Sequence, residues 1–196
     1  NGFYDDTGKG WVVRLVEKLN AARPCGYYLN NFARSGDRSG DCLHRLCSQV
    51  LSYTPNTLFI AAGVNDLIRN GSRDAPTSLS ETCSQGYWDR ILDTARKNVP
   101  QTIVFSLLPV DESKMPCAWE PALWYRRDDV EGYNVWLKTL CEARGVPFID
   151  FYGHAASRKW HRMVPDGIHP NTEGHELLAA YAFKALEDLL AEPAGP

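Results

Sequence analysis

Toward its C-terminal end the chain carries Asp166-Gly167-Ile168-His169-Pro170-Asn171, an acid three residues before a histidine. An imidazole takes a proton from a hydroxyl efficiently only when it is held in one tautomer and one orientation. A carboxylate one turn away does this by accepting the other ring N–H. The spacing therefore suits Asp166 as the orienting acid and His169 as a general base, in a turn that opens a helix. The same short pattern also arises by chance, as an aspartate capping a turn beside a surface histidine. Partners elsewhere in the chain must decide between the two. Asn65, in Gly63-Val64-Asn65-Asp66, brings a side-chain amide, and Gly36, in Arg34-Ser35-Gly36-Asp37, brings a backbone N–H with no side chain in the way. Donors of these kinds stabilise an oxyanion. Taken singly, the first is also a plain Asx turn and the second a plain tight turn.

The elements that must position these residues alternate in type. Val12, Leu15, Val16 and Leu19 repeat at helical spacing and predict a helix over about 11–22. Tyr27 to Phe32 reads as a short strand, followed by a helix through Leu43, Leu46, Cys47, Val50 and Leu51. Thr57 to Ala62 is an unbroken apolar run, as expected of a strand buried on both faces. Ser78-Leu79-Ser80-Glu81 has capping-box spacing before a helix whose face is Cys83, Tyr87, Ile91 and Ala95. A strand over 102–108, a helix through Val130, Tyr133, Asn134, Leu137 and Cys141, a strand over 146–151 and a last helix through Leu178, Tyr181, Ala182, Ala185, Leu186 and Leu189 complete the series. Long loops fall at 69–78, 109–128 and 152–168. Alternation of this kind predicts an α/β domain, with a parallel sheet between two layers of helices. No linker or repeat interrupts it, so residues 1–196 read as one domain. Open parallel sheets place function at the C-terminal ends of their strands. Gly36, Asn65 and His169 each follow a predicted strand.

Composition excludes several functions. A net charge of -3 with no basic stripe argues against nucleic acid, and no apolar run reaches membrane-spanning length. The six cysteines have no zinc-ligand spacing and are expected to be reduced, buried thiols, with Cys83 and Cys117 the best candidates for a disulfide. His154, His161, His169 and His175 do not pair at metal-binding intervals, so neither a metal nor another cofactor is expected. The compartment and the oligomeric state stay open. The Asn70-Gly71-Ser72 sequon is a motif frequent by chance and nothing else points to secretion, so the cytoplasm is slightly favoured over the periplasm or secretion.

With these residues in hand, the chain resembles the SGNH (GDSL-type) hydrolases, lipases and esterases built on a flavodoxin-like α/β/α sheet. Asn31-Phe32-Ala33-Arg34-Ser35-Gly36-Asp37 matches the block that carries the oxyanion glycine, Gly63-Val64-Asn65-Asp66 matches G-x-N-D, and Asp166 to Pro170 matches D-x-x-H-P. Ala33 and Arg38 depart from the glycine and threonine common in the second block. The resemblance implies cleavage of carboxylic esters through an acyl-enzyme, with His169 as base, Asp166 orienting it, and Gly36 and Asn65 as oxyanion donors. Of the first block, G-D-S-(L/I)-x-x-G, only the last glycine is matched, by Gly2. In that register the first strand and its nucleophilic serine belong upstream of Asn1. Ser35 and Ser39 fall in the oxyanion loop and are set aside as nucleophiles. Trp119, Trp124, Tyr125 and Trp160 are expected either to line a substrate pocket or to pin their loops to the domain. The substrate is a small-molecule, glycan or lipid ester. Carbohydrate acetyl esters and thioesters are the variants, and a non-catalytic ligand-binding protein on the same fold is the alternative.

Overall fold

The computed structural model describes residues 4–23, 26–187 and 189. Gly2, named above, and Cys25, one of the six cysteines, lie outside them. Three parallel strands form the central sheet in the order β1 (Thr57–Ile60), β3 (Gln101–Phe105), β5 (Phe148–Ile149). Thr57 pairs with Gln101 and Ile60 with Val104, while Val104 and Phe105 pair with Phe148 and Ile149.

β3 shows why the domain has three layers. Ile103, Val104 and Phe105 are all fully buried, and they alternate between faces. Ile103 and Phe105 join a cluster with Leu15 and Leu19 of α1 (Gly10–Ala22) and Leu178, Ala182 and Leu186 of α6 (Thr172–Leu186). Val104 joins the opposite cluster, with α2 (Ser39–Ser48), α3 (Glu81–Asn98) and α4 (Arg127–Ala143). Burying each of these large side chains is worth about 1.5–3 kcal/mol. The layers are thus held by one continuous strand that feeds both cores. This is the predicted α/β/α architecture with a parallel sheet.

Several local expectations change. Residues 27–32 form no strand: a groove of about 750 Å³ lies between them and β1, walled by Val12, Val16, Leu19 and Leu46. A strand needs a ladder partner, and this segment instead has its ends tied by side chains. Asn20 exchanges two hydrogen bonds with the backbone of Tyr27, at 2.8 and 2.9 Å, and Arg45 donates to the Phe32 carbonyl. The loops at 69–78 and 109–128 are not wholly irregular. They meet in a two-stranded antiparallel ribbon, β2 (Arg69–Asn70) with β4 (Leu123–Trp124). The 152–168 loop begins inside a short helix, α5 (Phe151–Ala156), capped by Asp150 accepting the Gly153 N–H at 2.8 Å.

The cap of α3 is Ser80 rather than Ser78, and the buried face of that helix is Ser84, Trp88, Ile91, Leu92 and Ala95. Cys83 is therefore an exposed residue of the first turn, and Cys47 is exposed as well; Cys117 and Cys141 are buried. All five described cysteines are free. Among the described residues no helix is long and apolar enough to cross a membrane.

Candidate active site

The turn before α6 is held on both sides. Asn171 caps the helix, accepting the Gly174 N–H at 3.0 Å, and the Asn171 N–H donates to the Met163 carbonyl at 2.7 Å. Gly167 sits at φ +90°, and a Cβ there would fall 2.9 Å from the Asp111 carbonyl oxygen and 2.9 Å from Met115 Cε. Only glycine lets the turn press this closely on the 109–128 loop. The Gly167 carbonyl accepts the Asp111 N–H at 2.8 Å, which fastens the two together.

Within this turn the Asp166 side chain is nearly closed to solvent, at 3% exposure. Its Oδ1 accepts the backbone N–H groups of Ile168 and His169, at 3.0 and 2.8 Å. Its Oδ2 lies 2.7 Å from His169 Nδ1. Burial by itself would raise the Asp166 pKa. The hydrogen bonds from the His169 side chain and from the backbone of His169 and Ile168 outweigh it and hold the carboxyl at about 2. An ionised carboxylate can only accept, so Nδ1 carries the ring proton and Nε2 is the basic nitrogen. That is the tautomer a general base needs.

The other wall comes from the turn after β1. Gly63 has φ 120°, and a Cβ there would overlap the Tyr133 hydroxyl at 2.5 Å. Glycine is required for α4 to pack here. The short 3-10 helix Val64–Leu67 follows and aims Asn65 across the sheet edge. Asn65 Nδ2 donates to the Asp37 carbonyl at 2.9 Å, and the Tyr125 hydroxyl lies 3.5 Å from Asn65 Oδ1. These two neighbours fix which end of the amide is nitrogen. One amide N–H remains for a ligand. Asp66 is fully buried, its Oδ1 accepting the Ser39 N–H at 2.8 Å and its Oδ2 the Tyr133 hydroxyl at 2.9 Å. Asn65 and Asp66 together therefore lash the Gly36 turn to β1.

Gly36, Asn65 and His169 face one pocket of about 470 Å³, with Asp166 behind the histidine. Trp119 and Tyr125 also line it. Trp124 and Trp160 do not. Trp124 lies in β4 opposite Arg69, and Trp160 is buried beside α6, its indole N–H on the Pro109 carbonyl at 2.8 Å. Trp160 pins its loop, the second of the two expectations for these aromatics.

Two buried polar residues of the pocket stand outside the sequence motifs. Ser106 follows β3 and is buried, its Oγ accepting the Tyr152 N–H at 2.8 Å. Its place directly after a central strand was the available signal. His175 lines the floor, its Nδ1 accepting the Trp11 N–H at 3.2 Å, and burial pushes its pKa down to about 4. Trp11, Ala33, Ala61 and Ala62 belong to both this pocket and the groove beside β1, so the two adjoin.

Comparison with known proteins gives a consistent picture. The family model for the GDSL-like lipase/acylhydrolase family matches residues 1–177. The chain is 23% identical over 198 residues to a multidomain esterase of Ruminococcus flavefaciens, covering 98% of this chain but only 22% of that protein's length. It is 23% identical over 189 residues to thioesterase 1/protease 1/lysophospholipase L1 of Escherichia coli, covering 96% of this chain and 79% of that one. Among solved structures, Axe2, an acetylxylan esterase from Geobacillus stearothermophilus, shares the fold with a TM-score of 0.67 at 20% identity, over 89% of this chain and 80% of Axe2.

Proposed function

We propose, from the premise that this chain belongs to the GDSL-like lipase/acylhydrolase family and is a carboxylic ester hydrolase, that it works through a serine acyl-enzyme with His169 as its base. The observation that carries this is the 2.7 Å contact of His169 Nδ1 with Asp166 Oδ2, in the pocket that Asn65 and Gly36 also face. His169 Nε2 takes the proton of the serine hydroxyl as Oγ attacks the ester carbonyl. The C=O π bond opens and its electrons move to oxygen, where the Asn65 amide and the Gly36 N–H meet the charge. The tetrahedral adduct collapses, the C–O bond to the alcohol breaks, and His169 returns the proton to the departing alkoxide. Water repeats the sequence on the acyl-enzyme and frees the acid. Asp166 stays ionised throughout and stabilises the imidazolium.

The nucleophile in this reading is a serine at the C-terminal end of an extended segment lying along the edge of β1 away from β3. Two features support it. The groove there is walled by apolar residues of α1 and α2, and it adjoins the pocket at Ala61 and Ala62. Ser35 and Ser106 also line the pocket. The first lies in the oxyanion turn, and the second already holds the Tyr152 N–H.

The pocket, at about 470 Å³, has room for an ester with a sizeable acyl or alcohol group. Trp119, 46% exposed, offers a flat apolar face of the kind sugars stack on. This favours, as a second reading, an acetylated glycan as the natural ester. Turnover of nitrophenyl acetate and of acetylated xylo-oligosaccharides tests the two together. Hydrolysis of neither ester, or hydrolysis undiminished in His169→Ala, would overturn the assignment.

A further inference from the structure

We infer that Trp119 is a positioning residue, which tunes the basicity of His169 through Asp166; the inference rests on the role proposed above for His169. The indole Nε1 of Trp119 donates to Asp166 Oδ2 at 3.0 Å, the same oxygen that His169 Nδ1 contacts at 2.7 Å. With the two backbone N–H groups on Oδ1, the carboxylate receives four donors. The indole and imidazole ring centroids are 6.0 Å apart. Trp119 thus touches the acid through its N–H, neighbours the base through its ring, and lines the pocket with its exposed part.

The placement is built. Trp119 lies in a tight turn closed by the Glu120 N–H on the Cys117 carbonyl at 3.1 Å and the Cys117 N–H on the Leu123 carbonyl at 3.0 Å. Cys117 is fully buried and anchors the base of the turn. The Asp111–Gly167 bond clamps the start of the same loop to the turn that carries Asp166. The indole N–H is therefore delivered from a supported segment, although the residue as a whole is exposed.

A second donor on one carboxylate oxygen withdraws electron density that the oxygen would otherwise give to its first partner. Removing the indole N–H leaves Oδ2 to His169 alone, which strengthens the His169–Asp166 bond and stabilises the imidazolium. Anything that draws the indole off Asp166, including an acyl or sugar group resting on its face, has the same effect. Pocket occupancy is thereby linked to the strength of the base.

The test compares Trp119→Phe, which keeps an aromatic face and loses the N–H, with Trp119→Ala, which loses both. Two readouts are taken: the position of the His169 Nδ1 proton resonance in the resting protein, and the acid limb of the kcat/KM profile against pH. Both variants should move the resonance downfield and the acid limb upward, by about half a pH unit, a fraction of what a full charged partner does. KM should rise mainly in Trp119→Ala. An unmoved resonance and limb in Trp119→Phe would overturn the inference and leave Trp119 as a wall of the pocket. The resonance is read without turnover, so it judges Trp119 even if His169→Ala were to remain active and the proposed mechanism fell.

Discussion

Asn65 donates its side-chain N–H to the backbone carbonyl of Asp37 at 2.9 Å. That bond joins the turn after β1 to the turn that holds Gly36, so the two proposed oxyanion donors are set at a fixed separation before any ester arrives. Asn65→Ala removes a donor and the strut at once. It should lower kcat by roughly 10²–10³, the usual loss for one oxyanion donor. KM should change little, because the bond strengthens only as charge develops. Steady-state kinetics on a nitrophenyl ester decides this, and a rise in KM at constant kcat would make Asn65 a binding residue instead.

Asp66 does a different job from its neighbour. Its two oxygens receive the Ser39 N–H and the Tyr133 hydroxyl, and Tyr133 in turn accepts the Trp88 indole N–H at 2.6 Å. Asp66→Ala would strand two buried donors, each costing about 1–3 kcal/mol. A loss of roughly 2–6 kcal/mol in urea unfolding is expected, with Tm falling about 2–4 °C for each kcal/mol in a domain of this size. A Tm within a degree of wild type would show that the tie is replaceable.

Stability should fall with acid in two stages. His175 is buried with its pKa pushed down to about 4, so between the usual histidine value of 6.5 and 4 the unfolded chain binds a proton that the folded one does not. Stability contributed by His175 is thus present above pH 6.5 and lost as the pH falls to about 4, by roughly 3 kcal/mol in all. Asp166 then follows. Its depressed pKa of about 2 makes its contribution full above the ordinary 3.8 and lost as the pH falls through 2, another roughly 2–3 kcal/mol. Urea melts from pH 7 to pH 2 should show the first loss absent in His175→Phe and the second absent in Asp166→Asn. The same slope in variant and wild type would contradict the assignment.

Residues of the 109–128 loop differ in whether they reach the pocket. Leu123 lines the pocket while its neighbour Trp124 does not. Leu123→Ala should raise the preference for butyrate over acetate roughly tenfold, the low end for a methylene-sized change in a pocket. Trp124→Ala should leave that ratio unchanged and act on Tm instead. A shift in preference from Trp124→Ala would return that residue to the pocket.

What the sequence disclosed follows from how local each signal was. All five residues read as the face of α4, Val130, Tyr133, Asn134, Leu137 and Cys141, are buried, because helical periodicity is written within one segment. Asp166 and His169 are three apart and meet in a single turn, so their pairing was legible too. Residues 27–32 were misread because a strand is defined by its neighbour, and the segment's own apolar residues do not say whether one is at hand. Trp119 and Asp166 are 47 residues apart. Nothing in the composition of an aromatic loop indicates which ring reaches a carboxylate, which backs a pocket as Tyr125 does, and which is sealed in the core as Trp160 is.

A serine nucleophile activated by His169 is tested most directly by labelling the purified protein with a fluorophosphonate ester and mapping the adduct by mass spectrometry. One phosphonylated serine is expected, at none of positions 35, 39 and 106, with a labelling rate at least about a hundredfold lower in His169→Ala, in line with the loss of a general base. An adduct on Ser35, Ser39 or Ser106, ester turnover with no serine labelled, or labelling at the wild-type rate in His169→Ala would contradict it.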